Sequence, residues 1–200
     1  MRRRGGPAAA DDAAVIESSW REPERFAVLF DRHAPHIYRY LARRAGRQVA
    51  DDLVAETFLA AFAKRDRYDL SYTDARPWLY GIATNLVGQH RRDEARQYRI
   101  RQATAAEPEV PGHAERVAAD VTAQAMRSLL DAALAALSAG DRDVLLLVAW
   151  EQLTYQEVSR ALAIPVGTVR SRLHRARTKV RQALAGTDAA ATYEELTTNE

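Results

Sequence analysis

The chain has 200 residues, of which 47% are hydrophobic and 28% are charged, with a formal net charge of +2. This length can bury one core of ordinary size or two small ones, so it leaves the domain count open. The absence of cysteine excludes disulfides and thiolate metal sites. No apolar run approaches the roughly 20 residues of a membrane-spanning helix, and Arg2 to Arg4 precede no apolar signal segment, so we expect a cytoplasmic protein without membrane insertion.

The composition and the spacing of apolar residues predict an all-α protein with two small helical domains. Alanine, leucine and arginine are frequent, whereas glycine and proline fall at segment boundaries. Residues 1–23 show no periodicity and are predicted to form a mobile arm before a first domain at residues 24–101. Residues 102–123 have the composition of a flexible linker, residues 124–186 form a second domain, and residues 187–200 form an acidic tail.

Three helices are predicted in the first domain. The first begins near Phe26 and ends near Gly46, and Pro35 should kink or split it. The second should run from about Val49 to Ala63, and its inward side chains are predicted to be Leu53, Val54, Phe58, Leu59 and Phe62. Pro77 should open the third. Its apolar stripe fades where a basic segment follows, which contains Arg91, Arg92, Arg96, Arg99 and Arg101.

The second domain carries the pattern of a helix-turn-helix. Four helices are predicted, and two of them have N-cap signatures, Ser138 with Asp141 and Thr154 with Glu157. A short helix at residues 154–163, a turn at 164–167 and a longer basic helix at 168–184 give the arrangement whose second helix fits the DNA major groove.

The second helix of this motif has an apolar stripe opposite a polar face. At about 100° per residue, the stripe is Val169, Leu173, Ala176, Val180 and Leu184, and the polar face is Ser171, His174, Arg175 and Thr178. The cations that flank this face and could reach phosphates are Arg170, Arg172, Arg177 and Lys179. Arg175 is the first candidate for a guanine contact, because its planar fork matches O6 and N7 together. A bare basic helix could also be a solvated face or bind an acidic partner.

Two separate parts of the sequence resemble extracytoplasmic-function (ECF) sigma factors of the sigma-70 family. The segments LTYQEV at residues 153–158 and IPVGTVRSRLHRAR at residues 164–177 resemble region 4. The segment DDLVAETF at residues 51–58 is similar to region 2.2, and PWLYGIATN at residues 77–85 to regions 2.3 and 2.4. The resemblance covers roughly residues 24 to 185, in the order that the family has.

This resemblance implies partners and site residues. The first domain would bind the clamp helices of the largest subunit of core RNA polymerase and melt the −10 element, and the second would meet the flap of the second subunit and read the −35 element. The implied polymerase contacts are Asp51, Asp52 and Glu56. The implied −10 contacts are Tyr68, Ser71 and Asp74 in a loop that cups a flipped base, then Asn85, Arg91 and Arg92. The implied −35 contacts are Thr168, Arg170, Ser171, Arg172, His174, Arg175, Arg177 and Lys179.

The resemblance further implies sequestration by an anti-sigma factor, and we expect no cofactor. Two positions depart from the family pattern. Val49 stands where an acid is frequent, which weakens the acidic patch slightly, and His174 stands where larger apolar or aromatic residues also occur, so the −35 preference does not transfer.

Two other functional classes remain as alternatives. A stand-alone helix-turn-helix regulator explains residues 154–184 equally well but leaves residues 51–58 and 77–85 unexplained. An enzyme could use Asp51, Asp52 and Glu56 as metal-binding carboxylates, or His33 with His36 as a ligand pair. Adjacent aspartates point to different azimuths of a helix, however, so we expect neither catalysis nor a metal.

Overall fold

The computed structural model describes residues 11–104 and 121–185, which contain eight α-helices and two short 310 helices without a strand. The predicted all-α class is confirmed. These residues form two compact units, residues 11–94 with 160–163 and the remaining described residues.

Helix α1 (Asp12–Ser18) opens the first unit, and a 310 helix (Pro23–Phe26) follows it. The Asp11 side chain caps α1 by accepting a hydrogen bond from the Ala14 N–H at 2.8 Å. Val15 and Ile16 are buried. The predicted mobile arm is therefore wrong from residue 11 onwards, and its first ten residues lie outside the described part of the chain.

Helix α2 (Ala27–Ala45) runs through Pro35 without a break, so of the two predicted outcomes, a kink or a split, the split is wrong. Proline removes one helical hydrogen bond. Because Pro35 and Asp31 are exposed, the carbonyl that loses its partner lies at the surface, where water replaces the lost donor. Gly46, with a φ of 89°, ends α2 and allows the chain to turn into α3.

Helix α3 (Arg47–Ala63) buries one narrow stripe, which consists of Ala50, Leu53, Val54, Thr57, Phe58 and Ala61. These positions follow the i, i+3, i+4 spacing of a helix face. Leu59 lies outside the stripe and is 68% exposed, so its predicted inward orientation is wrong. Phe62 is half-buried.

A short 310 helix (Arg65–Arg67) and an irregular loop lead to α4 (Arg76–Thr104). The buried apolar residues of α4 include Leu79, Ala83 and Val87, which lie on one face of the helix. The helix begins one residue before Pro77 and ends inside the predicted linker. Residues 105–120, which hold most of that linker, lie outside the described residues, as does the acidic tail.

The four helices predicted for the second domain are confirmed. They are α5 (Val121–Ala135), α6 (Ala139–Ala149), α7 (Tyr155–Leu162) and α8 (Val166–Leu184). Ser138 Oγ accepts the Asp141 N–H at 3.2 Å, which caps α6. Thr154 and Glu157 form a reciprocal capping box, in which the Thr154 N–H donates to Glu157 Oε2 at 2.7 Å and the Glu157 N–H donates to Thr154 Oγ1 at 3.3 Å.

The core of this second unit lies where α5 and α6 pack against α8. Its buried side chains include Ala133, Leu137, Val144, Leu147, Val169, Leu173 and Val180. The guanidinium of Arg142 donates to the carbonyl oxygens of Leu134 at 2.7 Å and Ala135 at 2.9 Å. These carbonyls lie in the last turn of α5, where the regular helical donors run out, and Leu134 also accepts the Leu137 N–H at 3.3 Å. Arg142 therefore helps to satisfy that helix end.

Candidate nucleic-acid and polymerase interfaces

Helix α8 presents a polar, basic face to solvent. All five residues of the predicted apolar stripe, Val169, Leu173, Ala176, Val180 and Leu184, are buried. Ser171 and His174 on the opposite face are exposed, and so are Arg170 and Lys179 on the two flanks. Thr168, Arg172, Arg177 and Thr178 are half-buried. The exposed surface of this helix therefore offers side chains of the types that contact phosphates and base edges.

The turn before α8 is closed by local hydrogen bonds. Ala163 adopts a φ of 51°, in the left-handed region. The Ile164 N–H then donates to the Ser159 carbonyl at 3.1 Å, and Ser159 Oγ donates to the Ile164 carbonyl at 2.5 Å. The Pro165 carbonyl accepts the Thr168 N–H at 2.8 Å, so α8 begins at Val166, two residues earlier than predicted.

Arg175 has a protein partner that the sequence did not reveal. One of its amino groups, Nη2, donates to Asp141 Oδ1 at 2.9 Å. The Asp141 side chain is 5% exposed, whereas that of Arg175 is 53% exposed. Burial disfavours the ionised form of Asp141, but the hydrogen bonds from Arg175 and Ser138 outweigh it and lower the pKa of the carboxyl. The guanidinium is thus held at one terminal amino group, with further N–H donors left on its exposed side.

Helix α3 exposes acids and one large apolar side chain. Asp52, Glu56 and Leu59 follow a spacing of four and three residues, which places them on one helix face, and all three are exposed. Asp51 is exposed as well but lies about 100° away around the helix. None of the three acids forms an ion pair with another residue in the described part of the chain.

The loop at residues 68–76 contains three predicted base contacts, of which two are accessible. Ser71 and Asp74 are exposed. Tyr68 is 8% exposed, and the centroid of its ring lies 5.0 Å from that of Trp78. Its hydroxyl donates to the Tyr72 carbonyl at 2.7 Å. Burial raises the pKa of this hydroxyl. Tyr68 therefore shapes the loop from inside, and a direct contact of its ring with a base does not fit this packing.

The three predicted contacts on α4 differ in accessibility. Asn85 and Arg92 are exposed. Arg91 is half-buried, and its guanidinium donates to the carbonyl oxygen of Arg44, close to the end of α2. Arg91 thus holds α4 against the end of α2, and its contact with a phosphate stays a prediction for its remaining N–H donors.

His33 and His36 form a hydrogen-bonded chain inside the first unit. His33 Nε2 lies 2.8 Å from Asp12 Oδ2, and His33 Nδ1 lies 2.9 Å from His36 Nε2. His36 Nδ1 lies 3.1 Å from the Tyr80 hydroxyl. Burial, followed by the nearby charges of His33 and Arg76, lowers the pKa of His36 to about 4. Both rings are therefore engaged with protein groups, which accounts for the pair without a metal.

Asp12 is the first member of this series of hydrogen bonds. The sequence did not reveal its role, because its partners lie 20 to 63 positions away. The described residues contain no cluster of three or more His, Cys, Asp or Glu side chains suited to a metal. They also contain no helix that is long and apolar enough to span a bilayer.

Comparison with known families and proteins agrees with this geometry in both halves of the chain. The family described as Sigma-70 region 2 matches residues 29–97, and Sigma-70, region 4 matches residues 127–180. The RNA polymerase sigma factor CarQ of Myxococcus xanthus is 34% identical over 80% of this chain and 90% of its own. The chain belongs to the ECF sigma factors of the sigma-70 family.

Two further relatives, whose names identify them as ECF sigma factors, support this assignment. The ECF RNA polymerase sigma factor SigL of Mycobacterium tuberculosis is 31% identical over 87% of this chain and 90% of its own. SigE of Mycolicibacterium smegmatis is 34% identical over 89% of this chain, which spans 65% of the length of SigE.

Two solved structures share the fold of this sigma factor. RpoE of Bartonella quintana, solved with the anti-sigma factor NepR, has a TM-score of 0.59 at 22% identity, covering 80% of this chain and 97% of that one. CnrH, solved with the cytosolic domain of CnrY, has a TM-score of 0.61 at 23% identity, and the match covers 88% of this chain and 99% of CnrH. At these identities the likeness concerns the fold.

Proposed function

We propose that this sigma factor directs promoter-specific transcription initiation by bacterial core RNA polymerase. Residues 24–101 would bind the polymerase and open the −10 element, and residues 124–186 would read the −35 element. The observation that carries this proposal is the presence, in one chain, of an exposed basic helix in a helix-turn-helix and a helix with an unpaired acidic face.

The acidic face of α3 suits a basic helix of the polymerase clamp. Asp52 and Glu56 stand one turn apart, are exposed, and form no ion pair with another residue in the described part of the chain. Charge pairs of this kind chiefly set partner choice and association rate. Leu59 adds an apolar side chain on the same face, which a helical partner would cover.

Charge reversal tests this interface. Asp52→Lys and Glu56→Lys should each weaken binding to core polymerase by about tenfold, which corresponds to about 1.4 kcal/mol. Asp66→Lys is the matched control, because Asp66 is also exposed but lies on the 310 helix beyond α3. Equal binding by all three variants would exclude this face of α3.

The basic face of α8 would enter the major groove at the −35 element. Ser171, His174 and Arg175 are placed for base edges, and the flanking cations for phosphates. In the first unit, Ser71, Asp74 and Asn85 are accessible to an unpaired base, and Arg92 to a phosphate. Polymerase would hold the two units at a fixed separation and so combine two weak contacts into one strong one.

We also propose that the chain works in the cytoplasm without catalysing a reaction, and that an anti-sigma factor holds it inactive. The two solved structures named above are of sigma factors with such partners or their cytosolic part. Co-purification of this chain from its host tests the proposal, and recovery with polymerase alone would contradict it.

In vitro transcription tests the central proposal. Core polymerase with this chain should initiate at specific start sites that core polymerase alone does not use, and sequencing those transcripts would define the promoter. Tight binding of the isolated chain to a palindromic site as a dimer, without any effect on polymerase, would instead identify a stand-alone helix-turn-helix regulator.

A further inference from the structure

Asp12 links α1 to the loop at residues 68–76 by two hydrogen bonds. Its backbone N–H donates to the Thr73 carbonyl at 3.1 Å. Its carboxylate oxygen Oδ2 accepts the Ala75 N–H at 2.9 Å. Asp12 therefore contacts both the loop and the residue that precedes α4.

The same carboxylate is fastened to α2 from the other side. Its Oδ2 also lies 2.8 Å from His33 Nε2, and its Oδ1 accepts a hydrogen bond from Arg32 Nη1 at 3.0 Å. Asp12 is 6% exposed. Burial opposes ionisation, but the hydrogen bonds from His33 and the Ala75 N–H outweigh it, and the pKa of the carboxyl falls to about 2. The group is thus a buried anion whose oxygens are shared among three donors.

The loop has no regular secondary structure between Tyr68 and Ala75. Within it, the Tyr68 hydroxyl donates to the Tyr72 carbonyl, and Asp69 Oδ1 accepts the Ser71 N–H at 3.0 Å. These bonds shape the loop locally, whereas those of Asp12 join it to α1 and α2. A loop positioned by a few such bonds changes conformation when one of them is lost.

We propose that Asp12 is a positioning residue for promoter opening, which sets the conformation in which the 68–76 loop receives an unstacked DNA base. Asp12 itself does not touch DNA. Its hydrogen bonds to Thr73 and Ala75 fix the backbone of the loop. That backbone in turn positions two exposed side chains, Asp74 between these residues and Ser71 two positions before Thr73. The inference rests on the proposed role of this loop in opening the −10 element, because a base held outside the stack must be met by a pocket of defined shape.

Asp12→Asn tests the inference with little change in size. The substitution removes the charge and presents an amide donor to groups that are themselves donors. Glu17→Gln is the matched control, because Glu17 is an exposed acid on the same helix. Both variants are prepared as full-length chains and reconstituted with core polymerase, and polymerase affinity is measured alongside transcription.

The informative quantity is base preference at the −10 element. The promoter is first defined with the unaltered protein, and initiation is then compared between that promoter and single-base changes in its −10 element. The ratio of initiation at the unchanged promoter to initiation at each altered promoter measures base preference. With Asp12→Asn we expect this ratio to fall at least fivefold at one position, while the affinity for core polymerase stays within twofold of that of the unaltered protein. Glu17→Gln should keep the ratio.

A purely structural role would lower the melting temperature while leaving the base-preference ratio unchanged, and that result would overturn the proposal. If Asp12→Asn fails to fold, the same base-preference ratio is measured with Asp11→Ala. This variant keeps Asp12 and removes only the hydrogen bond that caps the first turn of α1, which carries Asp12. Absence of promoter-specific initiation with the unaltered protein would instead count against the proposed function.

Discussion

Arg175 on the exposed face of α8 is held by Asp141 near the start of α6, with 2.9 Å between Nη2 and Oδ1. An arginine fixed at one amino group has fewer orientations to lose when it meets a base. The aspartate is buried and its pKa is lowered, so it stays charged at neutral pH. The pair connects the core of the second unit with the surface that is proposed to read DNA.

Arg175→Ala is expected to cost about 1 to 3 kcal/mol in promoter binding and to relax preference at one −35 position. Asp141→Asn should relax the same position to a smaller extent, because the guanidinium remains but its anchor is weaker. Initiation from promoters with single −35 changes measures both. Asp131→Asn, an exposed acid on α5, serves as control, and unchanged preference in Asp141→Asn would show that the pair only stabilises the fold.

Lys179→Ala is expected to weaken binding to all promoters alike. Its side chain is exposed on the flank of α8, where an ammonium meets phosphate oxygens without distinguishing bases. Loss of one phosphate contact should make the dependence of log affinity on log salt shallower by about 1. A titration of holoenzyme binding against salt provides the measurement, and a change confined to one base position would contradict the assignment of faces.

His36 is expected to make the first unit sensitive to mild acid. Its folded pKa of about 4 lies below the ordinary value of 6.5. The contribution of neutral His36 is therefore present above pH 6.5 and is lost as the pH falls towards 4, by about 3 kcal/mol at most. The charged and titratable groups near the ring are His33, Tyr80, Arg76, Arg39 and Asp12.

Urea unfolding at pH 7 and pH 4.5 measures this effect of His36. His36→Gln should shrink the loss of stability between the two values, because glutamine retains hydrogen bonding without a proton to gain. His174→Gln is the control, since that ring is exposed on α8. An identical pH dependence in His36→Gln would assign the sensitivity to other groups.

Ala163→Gly is expected to stabilise the helix-turn-helix. Ala163 adopts a φ of 51° between α7 and α8, a conformation that disfavours residues with a Cβ atom. Glycine removes that cost but gains unfolded-state entropy, so a net gain of about 0.5 to 1 kcal/mol follows. Thermal unfolding tests it, with Ala176→Gly in the interior of α8 as a control of opposite sign. Destabilisation by both would mean that the turn carries no strain.

The sequence by itself determined the features that depend on neighbours a few positions apart. The stripe from Val169 to Leu184, the Ser138 and Thr154 caps and the order of helices follow from helical periodicity and local hydrogen bonding. The exposure of Leu59 was within reach of the same reasoning, because it falls outside the spacing of Leu53, Val54 and Phe58.

Only the tertiary structure decided features that join distant parts of the chain. Asp12 meets His33 and Ala75, and Arg175 meets Asp141 across 34 positions. The spacing of apolar residues along the sequence does not show which distant donor a buried acid will contact. Burial and hydrogen bonding of a polar group depend on all the elements packed around it. For the same reason Tyr68 and Arg91, which look like surface contacts in the sequence, prove to hold the fold together.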